Sequence, residues 1–481
     1  MASILSVTSG FPSILYPSVE LARRLAVVGH QVTFAGLPAC RELVERQGLA
    51  FLPLEASRYE AFLEGDAKES YWHRLSKRGE RVDRAVDSLA TEGFSRDVRQ
   101  LNPDLILIDG EMHEHIITAS TVGIPLVLLN SFASIWRRPG LPPPHCQVQP
   151  DVGFWGSRGG IWLLWRALRL RKWRKAVSQW GRWVGCDRLS VLRRLAAEQG
   201  FDWHREIDAS QWLIPFTYRR FPVLSLHALE FDFPHQPPKR VHYVGPLLLE
   251  SRPDRQLPPE DRARLEAIFQ RRRRGAKLIY AGFGSMFSAD LAFLKRLLGV
   301  VAGRPEWDLV VSLSDRVAPA DLGPLPERVH VFPWVPQLEV VRQADVVVTH
   351  GGINTLDECV VGGSRGGVPV LIYCGSETDM AGNTARVLHH GIGIAGDREG
   401  DTTETIQGHI DRLLTAPSFR ASLARLRRSY QRYVENQVAE GAVKSLLGSL
   451  STPLAPPPSL PRTEEGRSVP QSFEDLERPP S

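Results

Sequence analysis

Cysteine is scarce. The five thiols, at 40, 146, 186, 359 and 374, stand in neither paired nor metal-ligand spacing. That argues against a disulfide scaffold and a zinc site and favours a reducing cytoplasm with free thiols. Long apolar runs are missing too: none reaches the ~18–20 residues that cross a bilayer. The first residues, MASILSVTSGFPS, lack a charged n-region and run straight into a strand pattern, so no secretory signal is expected. The net charge of +5 is modest and no nucleic-acid motif is present, so no nucleic-acid partner is expected. No short internal repeat stands out. One stretch lacks acids: between 158 and 194, Asp187 alone faces eleven Lys and Arg.

Apolar strand patterns alternate with helix patterns through residues 1–130. Ile4–Val7, Val32–Ala35, Leu105–Ile108 and Ile124–Leu129 read as strands, and Ser18–Val28 as a helix ending at Gly29. This alternation predicts a parallel, doubly wound α/β sheet. A second alternating unit follows the Arg271–Arg274 run. The reading is therefore an N-terminal domain over 1–240 with a basic, Trp-rich insertion at about 151–215, a linker at 241–270, and a C-terminal domain over 271–449. The Pro-, Ser- and Glu-rich residues 450–481 are expected to be disordered.

Chemistry concentrates between Trp334 and Asn383. The apolar run Val346-Val347-Val348 breaks at His350-Gly351-Gly352, and Asn354-Thr355 opens a helix. A strand feeding a glycine turn and a helix N-terminus is an anion site, because free N–H groups and the positive end of the helix dipole converge there. Around it, Trp334 offers a flat face for a base. Gln337 and Glu358 can bond ribose hydroxyls, His350 and Thr355 can donate to phosphate oxygens, and Asp379 would reach sugar hydroxyls. The site is read as holding a diphosphate without a metal or other cofactor.

The ordered series Trp-x-Pro-Gln, His-x-Gly-x-Asn-Thr-x-x-Glu, Gly-Val-Pro, Asp-x-x-x-Asn resembles the donor-binding signature of the family-1 UDP-glycosyltransferases, with the spacing of bacterial macrolide-type members. The resemblance spans roughly residues 1–448 and is specific in the C-terminal half. It implies the GT-B fold, two Rossmann-like domains facing across a cleft, with a UDP-sugar as co-substrate. It also implies that Trp334 stacks on the uracil, that Val335 belongs to the donor site, and that Gln337 and Glu358 hold the ribose. Ser285, His350, Gly352, Asn354 and Thr355 would surround the diphosphate, and Asp379 would touch the transferred sugar. Where the family usually has Gln after that acid, this chain has Met380, which leaves the choice of sugar open.

Glycosyl transfer with inversion needs a base for the acceptor hydroxyl. The family usually carries a His in a Gly-His-x-x-Pro turn after the first strand, oriented by a later Asp. If Pro17 matches that proline, Ile14 stands at the His position and has no proton to trade. Asp109 is present at the end of its strand, followed by Glu111, His113 and His115. Three readings stay open: Asp109 or His113 is the base; the acceptor is acidic enough, or groups near Ser13 and Tyr16 suffice; or the chain is a nucleotide-sugar-binding pseudoenzyme or partner subunit.

Six Trp lie between 155 and 183, and Trp173, Val177, Trp180 and Val184 recur at helical spacing. A basic helix with aromatic residues suits the surface of an anionic membrane. The other reading packs the Trp side chains on the N-terminal domain. Either way the segment walls the acceptor pocket, and a hydroxylated apolar small molecule or lipid is the expected acceptor. The sequence thus reads as a cytoplasmic hexosyltransferase, either soluble or peripheral to the inner membrane face.

Overall fold

The computed structural model describes residues 1–252, 256–284, 290–313, 317–363, 366–375 and 378–450. Two parallel sheets dominate. The N-terminal sheet contains β1 (Ser3–Val7), β2 (Gln31–Gly36), β3 (Ala50–Pro53), β4 (Leu105–Asp109), β5 (Leu126–Asn130), β6 (Val223–Ser225) and β7 (Val241–Tyr243), in the order β3-β2-β1-β4-β5-β6-β7. The C-terminal sheet contains β8 (Lys277–Gly282), β9 (Trp307–Ser312), β10 (Val329–Phe332), β11 (Val346–Thr349), β12 (Val370–Ile372) and β13 (Gly393–Ala395), in the order β10-β9-β8-β11-β12-β13. β4, β5 and β11 are buried along their whole length, as strands covered by helices on both faces must be. In each sheet the order reverses beside its first strand, which opens a crevice at the carboxyl ends.

Three stretches differ from the sequence reading. Val241–Tyr243, expected in the linker, is the edge strand of the N-terminal sheet, too short to show a period. The helix Pro259–Arg273 then begins before the Arg run. The helix expected over 18–28 starts at Pro12 and runs to Val27, with Pro12 in its first turn and Pro17 inside it. A proline at 17 has no N–H to give the carbonyl four residues back, Ser13. That carbonyl instead accepts from the Asn354 side-chain amide at 3.2 Å, and Pro12 O accepts from the same amide at 3.3 Å. The interrupted helix thereby meets the second domain. Ile14 is buried in the N-terminal core.

The domains are joined by buried contacts. His227 bridges Ser131 O (Nε2, 2.8 Å) and Asp357 Oδ2 (Nδ1, 2.6 Å), while Tyr430 donates to Asp357 Oδ1 at 2.7 Å. Arg386 donates to Asp232 from Nε at 2.8 Å, both side chains being almost fully buried. Gly382 N donates to Pro144 O, and a Cβ at 382 would fall 2.2 Å from that oxygen, so only glycine permits the approach. The last helix, Val438–Leu450, crosses back so that Ala439, Val443 and Leu446 join the core of the first domain. Among the described residues no helix is long and apolar enough to cross a membrane.

Candidate donor and acceptor sites

On the donor side, β11 ends at Thr349 and the helix Ile353–Val361 begins after Gly352, with no side chain capping it. Its first N–H groups therefore face the cleft without an intrahelical partner. Gly351 has φ +92°, the left-handed turn that lets the chain reverse. A Cβ on Gly284 or Gly352 would come within 2.9 or 2.7 Å of the His350 imidazole, so the two glycines make the slot that holds this ring. Burial pushes the His350 ring down to about 4, leaving it neutral at pH 7.

The structure gathers the other donor-side residues around this turn. Gln337 Nε2 donates to Glu358 Oε2 at 2.6 Å and to Thr355 Oγ1 at 3.2 Å, and Tyr280 donates to Gln337 Oε1 at 3.3 Å. Trp334 is half-buried just before this cluster. Val335 packs its side chain into the core, so its backbone alone can face a ligand. Asn383 Nδ2 donates to Asp379 Oδ2 at 2.8 Å and to Gly351 O at 3.1 Å, which ties the acid to the glycine turn. Burial raises the Asp379 carboxyl above the usual range. Ser285 lies outside the described residues.

One contact was not foreseen: Arg252, from the segment joining the domains, pairs with Glu358 and stacks over the Tyr16 ring at 4.7 Å. If Glu358 also receives ribose hydroxyls, Glu358→Ala weakens binding of the nucleoside diphosphate at least about tenfold, since a hydrogen bond to a charged group contributes roughly 1.5–3 kcal/mol. Equilibrium titration checks this.

Across the cleft, Asp109 ends β4 with its carboxylate fully engaged. It accepts from Ser9 Oγ at 2.6 Å, Ser9 N at 3.3 Å and Glu111 N at 3.0 Å. In this arrangement it fastens two loops. His113 is buried, with Nδ1 3.1 Å from Tyr218 OH and its ring 4.5 Å from that of Phe216, and burial pushes it down to about 4. Glu111 is different. The residue is exposed, yet the loss of water around its carboxyl first, and then the nearby Asp109 and Asp379 carboxylates, push it up to about 7. Sequence reasoning passed over Glu111 because an acid on a polar loop is usually only solvated. Its position two residues after the strand-end Asp109 was the available signal.

Glu111 also lines a cavity of about 1800 Å³. The helix Arg158–Trp183 walls one side through Lys172, Ala176, Gln179 and Trp183, opposite Trp203 and Phe216. Lys172 is held there by donating to the carbonyls of Ala209, Gln211 and Leu213 at 3.0, 2.9 and 2.7 Å, and burial pushes its ammonium down to about 8. Small-molecule pockets usually measure roughly 300–1,000 Å³, so this one has room for a large ligand.

Comparison with known proteins finds glycosyltransferases. Residues 296–436 match the family model described as the erythromycin biosynthesis protein CIII-like C-terminal domain. The chain is 26% identical over 389 residues to the oleandomycin glycosyltransferase of Streptomyces antibioticus, covering 79% of this chain and 75% of that one. It is 24% identical over 377 residues to the zeaxanthin glucosyltransferase of Pseudescherichia vulneris, covering 78% and 81%. The fold matches the crystal structure of the kitacinnamycin glycotransferase with a TM-score of 0.63 at 21% identity, over 92% of this chain and 98% of that one. It also matches the glycosyltransferase VinC in complex with dTDP with a TM-score of 0.58 at 19% identity, over 93% and 100%. Its two doubly wound domains have the GT-B fold of these solved structures, and the donor-side motif, the C-terminal family match and these relatives support a glycosyltransferase of the family-1 type.

Proposed function

We propose that the chain transfers a hexose from a UDP-sugar to a hydroxyl of an apolar small molecule or lipid, with inversion, and that Glu111 is the base. The observation that carries this reading is the place of Glu111: it lines the acceptor cavity and feels the charge of Asp379 on the donor side. An acceptor hydroxyl in the cavity gives its proton to the Glu111 carboxylate as its oxygen attacks the anomeric carbon. The bond from that carbon to the β-phosphate oxygen breaks, and the electron pair leaves with the diphosphate. The charge that develops there is met by the N-terminus of Ile353–Val361 and by donors from His350 and Thr355. Asp109 positions the base by holding the Glu111 backbone N–H. Asp379, fixed by Asn383, orients the sugar.

Because a helix terminus and neutral donors take the phosphate charge in this scheme, no divalent cation is required. EDTA is expected to leave the rate of nucleotide release unchanged, and a loss reversed by Mg²⁺ would show that a cation shares the site. Thymidine diphosphate, the nucleotide in the VinC complex, is the alternative for the same cleft. Competition between UDP and dTDP for binding to the purified chain separates the two.

The second reading is a protein that binds nucleotide sugar without turnover. It is favoured by the burial of Ile14 and by the pairing of Arg252 with Glu358. Sugar transfer to any hydroxylated acceptor by the chain alone would exclude it.

A further inference from the structure

The helix Arg158–Trp183 is 26 residues long, about 39 Å at ~1.5 Å per residue. It has two apolar faces. Ile161, Trp165, Leu168, Lys172, Ala176, Gln179 and Trp183 follow at intervals of three or four and face the protein. Ile161, Trp165 and Leu168 are buried, with Trp165 donating to Leu141 O at 2.8 Å. Trp162, Arg166, Leu170, Trp173, Val177 and Trp180 follow at the same intervals on another side, and every one is exposed. Trp162, Trp173 and Trp180 keep 47%, 48% and 45% of their surface open, a level that the core-packing reading of these side chains does not explain.

The patch does not end with this helix. Tyr71, Trp72 and Leu75 are exposed on the short neighbouring helix Tyr71–Ser76, where Arg74 donates to Arg182 O at 3.1 Å. Just beyond it, the Arg78 guanidinium lies 5.5 Å from the Trp180 ring centre. Large exposed apolar side chains gathered on two neighbouring helices mark an interaction site. Its charge identifies the partner: Arg166, Arg171, Arg174, Lys175 and Arg182 are exposed along the helix, which carries no acid, and call for a dense negative surface, while indole rings interleaved with arginines suit the boundary between lipid headgroups and acyl chains.

We propose that this face docks on an anionic lipid bilayer. Leu170, Trp173, Arg166 and Arg182 belong both to the exposed face or its end and to the wall of the 1800 Å³ cavity. The docked face therefore brings the cavity wall to the lipid, and an apolar ligand can pass between them with little exposure to water. The docking itself does not depend on the transferase reading, because it is measured without turnover.

The test is co-sedimentation of the full chain with vesicles of phosphatidylcholine, with and without phosphatidylglycerol, at low and at physiological salt. The variant pairs Trp162→Ala with Trp180→Ala, and Arg166→Gln with Arg174→Gln, are run beside it, with far-UV circular dichroism to confirm that they fold. The expected result is binding to anionic vesicles that weakens with salt and is nearly lost on pure phosphatidylcholine. Each basic residue near such a surface contributes roughly fivefold in partitioning, so the arginine pair should weaken binding about 25-fold, and the tryptophan pair at least tenfold. No binding to anionic vesicles at low salt overturns the proposal. So does binding that both folded variant pairs leave unchanged, or retention on duplex DNA in place of vesicles.

Discussion

Glu111→Gln is expected to lower the rate of sugar transfer by about 10²–10⁴, the range of a positioned general base, with donor binding unchanged. The amide keeps the size of the side chain and its place on the loop but accepts no proton. A separate signature follows from the raised carboxyl. The base works as the carboxylate, so kcat/KM should rise about tenfold per pH unit at low pH and level off above about 7, where Glu111 titrates. Glu111→Gln should lose that rise. His113 and His350 are already neutral above about 4, so neither produces a transition near 7. A Glu111→Gln enzyme with unaltered rate and pH profile would return the role to Asp109 or to the acceptor itself. Asp109→Asn should also reduce transfer, by releasing the Ser9 and Glu111 loops from their shared anchor.

Arg386→Met is expected to destabilise the fold by about 3–5 kcal/mol, because it leaves the buried Asp232 carboxylate without its cation. Asp232 also accepts from Ser134 N at 3.0 Å and Phe233 N at 2.7 Å, and Arg386 Nη1 donates to Gly382 O at 3.0 Å. Together these hold the helix Met380–His390 against the first domain, beside the cluster of Leu141, Phe233 and Ala385. Combining Arg386→Met with Asp232→Asn should recover part of the loss, since no unpaired charge then remains. Urea unfolding of the two single variants and the double variant gives the coupling. Additive losses would show that the pair does not bind the domains together. The same helix carries Asn383 and follows Asp379, so Arg386→Met should reduce transfer more than it weakens nucleotide binding.

What could be read in advance follows from how local each feature is. The donor-side elements lie within 50 residues, and a strand, a glycine turn and a helix start are visible as an apolar run, His350-Gly351-Gly352 and Asn354-Thr355. Of the doubly wound sheets, β1, β2, β4, β5 and β11 were legible for the same reason, each as an apolar run, whereas β3, β6, β9, β10 and β13 were not read. Residues whose meaning comes from distant parts of the chain were not. Glu111 owes its raised carboxyl first to the loss of water around it, and then to Asp109 and to Asp379 of the other domain. Arg252 reaches Glu358 only once the domains have docked. Pro17 read as a turn, yet its missing donor is what frees Ser13 O for Asn354. Val241–Tyr243 is three residues long with His242 at its centre, too short to show a strand period. In the Trp-rich helix, an inner and an outer apolar stripe overlap in the sequence, and the fold separates them.

The most direct test of the central claim is acceptor-dependent release of nucleoside diphosphate by the purified chain. UDP-glucose, UDP-galactose, UDP-N-acetylglucosamine and a dTDP-sugar serve as donors, with hydroxylated apolar compounds as acceptors, and the anomeric configuration of the product is read by NMR. The predicted result is UDP release that requires the acceptor, is lost in Glu111→Gln, and gives an inverted linkage. Tight UDP binding with no release from any donor and acceptor pair would contradict it and leave a nucleotide-sugar-binding protein that does not transfer.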